Sequence, residues 1–227
     1  MGSYRFARSP RWVLSHLVVL GLVVLMVSLG FWQLRRLDER RQFNALVRQR
    51  TEEAPVAVGD ALDDPRFRLV TASGRYDEAA TVLVRRNQAG APGAWVVTPL
   101  RLADGVSVVG VLRGFVGSGS DGGLVAPPAP PGEVEVEGQA VVIDRLDQAA
   151  RRALEGVAGS EGALPVLIQL TTSAPPDDAL TRVPPPELDE GPHLSYAVQW
   201  FVFSIVGLVG YPLVLRQQAR RPMTRES

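Results

Sequence analysis

Two long uncharged apolar runs, one near each end, bracket a middle in which hydrophobic residues fall into short alternating stretches. The first run, residues 12–34 (WVLSHLVVLGLVVLMVSLGFWQL), has 23 residues. At about 1.5 Å per residue a helix of that length reaches about 34 Å, enough to cross the hydrocarbon core of a bilayer. A cleaved secretory leader is the alternative, but the run is long and Gly30-Phe31-Trp32-Gln33 is a poor small-residue cleavage site. The second run, residues 194–215 (LSYAVQWFVFSIVGLVGYPLVL), is equally uncharged and again long enough to span. Trp12, Trp32, Tyr196 and Tyr211 lie near the run ends, where aromatic rings favour the headgroup zone.

After the first run, Leu34, Leu37, Phe43, Leu46 and Val47 keep near-helical spacing, so the helix is expected to continue until Pro55 ends it. Short β signals follow at 66–76, 81–85, 94–102 and 106–115, the last two joined across Asp104-Gly105, a strong hairpin signal. Residues 117–132 have eleven Gly, Ser or Pro in sixteen positions and read as a mobile loop. Alternation resumes at 133–143. Asp144 is positioned to cap a short helix carrying Leu146, Ala150 and Leu154, with Gly156 as its stop. A last strand is expected at 166–170, and the six prolines of 174–192 read as a linker. The predicted fold class is an α+β membrane protein, two transmembrane helices flanking a small, mostly antiparallel β extracytoplasmic domain or partly closed barrel.

Charge orients this frame. The 227 residues carry 24 basic and 24 acidic side chains, and every basic one is Arg. The all-Arg set, with abundant Ala, Val, Gly and Pro, points to a GC-rich, bacterial coding sequence. Residues 1–11 hold Arg5, Arg8 and Arg11 without an acid, and 216–227 hold Arg216, Arg220, Arg221 and Arg225 against Glu226. The middle, with 17 Arg and 23 acids, is mildly acidic, unlike the clustered basic face of a nucleic-acid binder. The basic C-terminal tail faces the cytoplasm by the positive-inside rule. This divides the chain into a cytoplasmic tip (1–11), a span (12–34), an extracytoplasmic domain (35–193), a span (194–215) and a cytoplasmic tail (216–227).

Candidate chemistry is sparse. The absence of cysteine excludes disulfides, thiolate catalysis and thiolate metal sites, and two histidines, His16 and His193, nearly exclude a multi-histidine metal centre. Asp63-Asp64 and Asp177-Asp178 sit in predicted turns, where solvated carboxylates are the ordinary explanation. Gly117-Ser118-Gly119 is loop composition rather than a nucleophile elbow. No catalytic set emerges. His193 stands out: Pro192 suits a helix start, and His193, Tyr196, Ala197, Trp200, Ser204 and Gly207 share one helical face. A neutral imidazole over an aromatic face suits an axial haem ligand; an interfacial anchor is the plainer reading. At the same end of the first span, Gly30 permits close approach, Trp32 can stack, Gln33 can hydrogen-bond, and Arg35 or Arg36 can pair with a carboxylate. An ordinary aromatic belt with lipid phosphate contacts also accounts for them.

Two motifs carry a family resemblance. Gly30, Trp32 and Gln33 with Arg36, and His193, Leu194, Tyr196, Ala197, Gln199, Trp200 and Phe201, resemble the two span signatures of the surfeit locus protein one family, assembly factors of cytochrome c oxidase. Gly74-Arg75-Tyr76-Asp77, Val97-Thr98-Pro99-Leu100 and Arg113-Gly114-Phe115-Val116 resemble family elements in the same order, over about residues 20–210. Glu39 stands where the family often has an aromatic before a basic residue, and Leu112 where an Asn is expected. The resemblance implies a non-enzymatic factor that matures the haem a-containing core subunit, receiving haem a from haem A synthase in bacterial relatives. It implies transient haem a contact at His193, as iron ligand, with Tyr196, Trp200 and Trp32 lining the pocket and Gln33 or Arg36 at its edge. The implied partners are the oxidase core subunit, haem A synthase and membrane lipids, with no nucleic acid. The competing classes are an oxidase scaffold that never holds haem, and an outer ligand-sensing module.

Overall fold

The computed structural model describes residues 7–119 and 122–220. Arg5, Arg221, Arg225 and Glu226 of the expected cytoplasmic tips, and Ser120 and Asp121 of the expected loop, lie outside them. The chain forms two compact units, one of residues up to Asn44 together with those from Leu188, the other Ala45–Glu187.

The first unit is a pair of antiparallel helices. Helix α1 runs Pro10–Glu52, its last turns belonging to the second unit, and ends three residues before Pro55. Helix α4 runs His193–Arg220. Their seam repeats every seven residues: Val23, Gly30, Leu37 and Asn44 are buried on α1, and Ala197 and Ser204 on α4. A seven-residue repeat is the spacing that keeps two helices in register along their length. Beside Val23 and Leu37 the seam holds the small or polar Gly30, Asn44, Ala197 and Ser204, whereas Leu14, Leu17, Leu25, Val206 and Leu208 are exposed. This is the reverse of a water-soluble helix pair, and it matches association by close backbone approach.

The second unit is a strongly curved seven-stranded sheet. Its strands are β1 (Val56–Ala57), β2 (Leu69–Tyr76), β3 (Val82–Gln88), β4 (Ala91–Leu102), β5 (Val108–Gly117), β6 (Glu133–Val142) and β7 (Ala163–Ala174). The order is β1-β2-β6-β7-β5-β4-β3, and β2 also pairs with β4. The extra pairing closes β2, β6, β7, β5 and β4 into a five-stranded ring, with β1 and β3 as appended edges. All pairings are antiparallel except β1–β2 and β5–β7. Gly74 sits at the closure, opposite Val134 on one side and Leu102 on the other. A Cβ there would overlap the Arg101 carbonyl, so the ring closes at a residue without a side chain.

Alternation places Val70, Ala72, Leu100, Val109, Val111, Val134, Val136, Ile168 and Leu170 in the ring interior. A second apolar layer, with Val84, Val97, Leu112 and Leu167, is covered by helices α2 (Gln148–Ala153) and α3 (Glu155–Ala158) through Ala150, Leu154 and Val157.

Strands β3, β4 and β7 are longer than their alternation suggested, β2 and β6 are slightly shorter, and several turns differ. The Asp104-Gly105 hairpin is present: Asp104 Oδ1 accepts from the Val106 and Ser107 amides. A hydrogen bond from the Ser107 side chain first, and then these amide bonds, hold the exposed Asp104 carboxyl below its ordinary range. A second hairpin joins β3 to β4 across Ala89-Gly90, both at positive φ. Helix α2 is capped by Asp147, not Asp144; its side chain accepts from the Ala150 amide, and Asp144 lies in a preceding 3-10 turn. Helix α2 ends at Ala153, Leu154 joins it to α3, and Gly156, the expected stop, lies inside α3.

The solvated reading of Asp177 is wrong. Asp177 is buried in a two-bond ion pair with fully buried Arg113: Arg113 Nε donates to Oδ2 at 2.6 Å and Nη2 to Oδ1 at 3.0 Å. Arg113 also donates to the Pro127 and Pro128 carbonyls, fastening part of the loop expected to be mobile. The expected linker is likewise partly structure. Strand β7 reaches Ala174, Leu180 is buried, and Thr181 bridges Phe115 at the point where β5 and β7 have parted.

Candidate functional site between the helices

Pro192 precedes the first residue of α4, where its missing amide hydrogen costs no helical bond. Gly191, at φ +63°, makes the turn into the helix, and Tyr196 N donates to the Pro192 carbonyl at 3.1 Å. This geometry leaves the half-buried His193 ring facing α1, where Nδ1 donates to Gln33 Oε1 at 2.9 Å. With Nδ1 keeping its proton, Nε2 carries the free lone pair of the neutral imidazole. A Cβ added to Gly191 would stand 3.4 Å from both Nε2 and Cδ2. That is ordinary contact distance, so it is the positive φ of the turn that calls for glycine here.

The segment ahead of His193 is clamped to α1 by charge. Arg40 donates to the Asp189 carbonyl at 3.0 Å and to its carboxylate at 3.1 Å. Arg41 grips Glu190 with two bonds of 2.9 Å, and buried Asn44 donates to the Leu188 and Asp189 carbonyls. Exposed pairs of this kind contribute little singly. Three consecutive residues held from positions 40, 41 and 44 nevertheless fix the register of the histidine. Sequence reasoning missed this clamp and Gly191; the signal was two adjacent acids, Asp189-Glu190, in a chain that also places Arg40-Arg41 just beyond its first span.

The six predicted site residues do not all converge. Gln33 and His193 meet directly. Trp200 lies on the α4 face of His193, half-buried, with its ring edge-on to Phe203 at 6.2 Å. Trp32 and Tyr196 are each 47% exposed and point away from the seam, open to an added ligand or to an apolar solvent. Arg36 pairs with Glu39 at 2.8 Å on the outer surface. Gly30 receives Phe201: a Cβ would come within 2.7 Å of that ring, and Phe31 meets the same ring edge-on at 5.4 Å. The close approach at Gly30 is made by the other helix.

His16 is differently placed. Nε2 donates to the Ala7 carbonyl at 3.1 Å, and Nδ1 meets the Tyr211 hydroxyl at 2.6 Å, itself 2.9 Å from Ser15 Oγ. Both ring nitrogens are engaged, so His16 offers no free lone pair, and His193 is the candidate ligand.

Residues 20–205 match the SURF1 family. An uncharacterized SURF1-like protein of Mycobacterium bovis is 29% identical over 90% of this chain and 83% of its own. A SURF1-like protein of Monosiga brevicollis is 24% identical over 89% of this chain and 88% of its own, and one of Rickettsia felis 28% over 44% and 46%. The match runs through both helices and the intervening ring, and takes in the motifs at Gly30–Gln33 and at His193–Phe201. By that extent, this chain belongs to the SURF1 family.

Proposed function

We propose that this protein is a membrane-anchored assembly factor for cytochrome c oxidase that holds haem a at His193 and passes it to the core catalytic subunit. Family membership and the two apolar helices support the anchored, non-enzymatic role. On this reading residues 12–34 and 194–215 cross the bacterial inner membrane, both termini are cytoplasmic, and residues 35–193 lie outside. Haem A synthase supplies the group, the oxidase core subunit accepts it, and lipids surround the helices.

The observation that carries the reading is the Gln33–His193 bond. It leaves Nε2 bare, and an imidazole whose other nitrogen is hydrogen-bonded is the usual state of a metal-binding histidine. The fit rests on that free nitrogen. Haem, when bound, would supply a Lewis-acidic iron for a nitrogen ligand. His193 would hold it, Gln33 would orient the ring, and Trp32, Tyr196 and Trp200 offer aromatic surface on the same stretch of the two helices. A single neutral ligand suits a carrier, because release must be competitive with the acceptor's own ligands.

The test is the absorption spectrum of detergent-purified protein, wild type and His193→Ala, each co-produced with a haem A synthase. Stoichiometric haem in the wild type that is lost or spectrally altered in the variant supports delivery through His193. Equal haem in both removes His193 as ligand. Absence of haem from both favours the second reading, a scaffold of the oxidase. That reading draws on the Phe201–Gly30 contact and on buried Ala197 and Ser204, which give this face of α4 a packing role.

A further inference from the structure

The β3–β4 hairpin of the second unit carries a polar cavity of about 360 Å³ lined by Arg85, Arg86, Asn87, Pro92, Gly93 and Ser118. Its charged lining is of one sign, two arginines and no acid. Arg86 is held rigidly: its guanidinium lies 4.7 Å from the Trp95 ring centroid, and Nη2 donates to Asp147 at 2.6 Å. Asp147 is itself fixed as the cap of α2, with its carboxyl held below the ordinary range by the Ala150 amide and then by Arg86. Ser118 is fixed as well, its amide donating to the Pro92 carbonyl at 3.0 Å. Arg85, one strand position along, is exposed and makes no ion pair among the described residues. The hairpin turn at Ala89-Gly90 keeps this stretch of β3 beside its partner, and β3 is the last strand of the sheet, so the cavity opens at a free edge.

We infer that this cavity binds a phosphate group. The lining offers an immobilised guanidinium, a second that is free to swing over the ligand, a carboxamide and a hydroxyl. A tetrahedral oxyanion accepts from all of these, and the arginine fork suits two of its oxygens at once. Pre-fixing Arg86 lowers the ordering cost on binding, while Arg85 supplies the closing contact. The interaction is electrostatic and weakens with salt. The site is independent of the helix pair and of any role in haem transfer.

A phosphate group is presented equally by the free ion and by an anionic phospholipid headgroup, and two arms separate them. Full-length protein in phosphatidylcholine nanodiscs is titrated with inorganic phosphate by calorimetry at low salt. The same protein is reconstituted with increasing phosphatidylglycerol, and retained lipid is counted by native mass spectrometry. Arg85→Gln, an exposed substitution outside the core, is compared with Arg75→Gln on the exposed face of β2. Saturable phosphate binding, weakened about tenfold by Arg85→Gln and unchanged by Arg75→Gln, supports the site with the free ion as occupant. Phosphatidylglycerol retention with that same variant pattern supports it with the headgroup as occupant. No saturable binding in either arm overturns the inference, as does binding that both variants leave unchanged. Arg86→Gln, scored only if its circular dichroism matches wild type, should weaken binding at least as much.

Discussion

Gln33 Oε1 lies 2.9 Å from His193 Nδ1, so one amide on α1 decides which imidazole nitrogen on α4 keeps its proton. Substituting Gln33→Leu removes the acceptor and leaves the ring free to rotate and to exchange tautomers. Loss of such an outer partner typically weakens metal binding by about 10- to 100-fold. Haem retained by the Gln33→Leu protein, titrated spectrally in detergent, should fall by a factor in that range. Gln33→Glu keeps an acceptor in place and should retain haem. Equal retention in all three would show that the bond only fastens the helices.

The Gly30–Phe201 contact gives the packing counterpart. A Cβ at position 30 would come within 2.7 Å of the Phe201 ring, and a packed seam yields only with strain, typically about 1–3 kcal/mol. Gly30→Ala should therefore lower the thermal midpoint of the detergent-solubilised protein. Phe201→Ala should lower it by lost packing, and the double variant should lie above the sum of the two. A coupling under about 0.5 kcal/mol would mean the helices separate freely enough to relax.

The long elements were legible because their signal is redundant. A 23-residue uncharged run, or β-branched alternation on either side of Asp104-Gly105, leaves few other solutions. A partly closed barrel was expected as one alternative, but the point of closure was not legible, because it depends on Gly74 meeting β4 across a distance in sequence that no local pattern encodes. The Ala89-Gly90 turn was missed because alanine at positive φ carries none of the Asn-Gly signature. Asp177 was misread for a related reason: a proline-flanked acid looks solvated until the arginine opposite it, 64 residues earlier, is known. At the helix pair, the motif residues Gln33 and His193 were visible, but the Arg40, Arg41 and Asn44 clamp needed the antiparallel register to appear.

Arg113 and Asp177 form the most deeply buried charge pair described in the β unit. Removing one partner strands the other in a site without water, at a typical cost of about 3–5 kcal/mol. Arg113→Met and Asp177→Leu should each destabilise by roughly that amount in chemical unfolding of the full-length protein. The double variant, which buries no charge, should recover much of the loss. Protease cleavage near residues 177–184 should increase in either single variant, because Arg182 reaches the Arg113 carbonyl and Gln169 the Val183 and Pro184 carbonyls from the same strap. Additive single effects would mean that the pair is not coupled.

Tyr76 offers a test with a defined sign. Its ring lies 5.6 Å from the Arg113 guanidinium, while its hydroxyl is buried without a partner among the described residues. Burial first, and the Asp177 carboxylate second, push the phenol well above its ordinary range, with Arg113 and Arg182 opposing. An acid raised in the folded state stays neutral there while the unfolded chain ionises near pH 10. Stability from this residue is thus complete below about pH 10 and is lost above it, by up to about 1.4 kcal/mol per pH unit. Tyr76→Phe keeps the ring over Arg113 and deletes both the orphaned hydroxyl and the titration. At pH 7 it should leave stability unchanged or raise it by about 1 kcal/mol, the desolvation of an unpaired hydroxyl being relieved. Between pH 10 and 11 its stability should fall less steeply than that of the wild type. Parallel decline of the two proteins over that range would show that the Tyr76 hydroxyl reaches solvent.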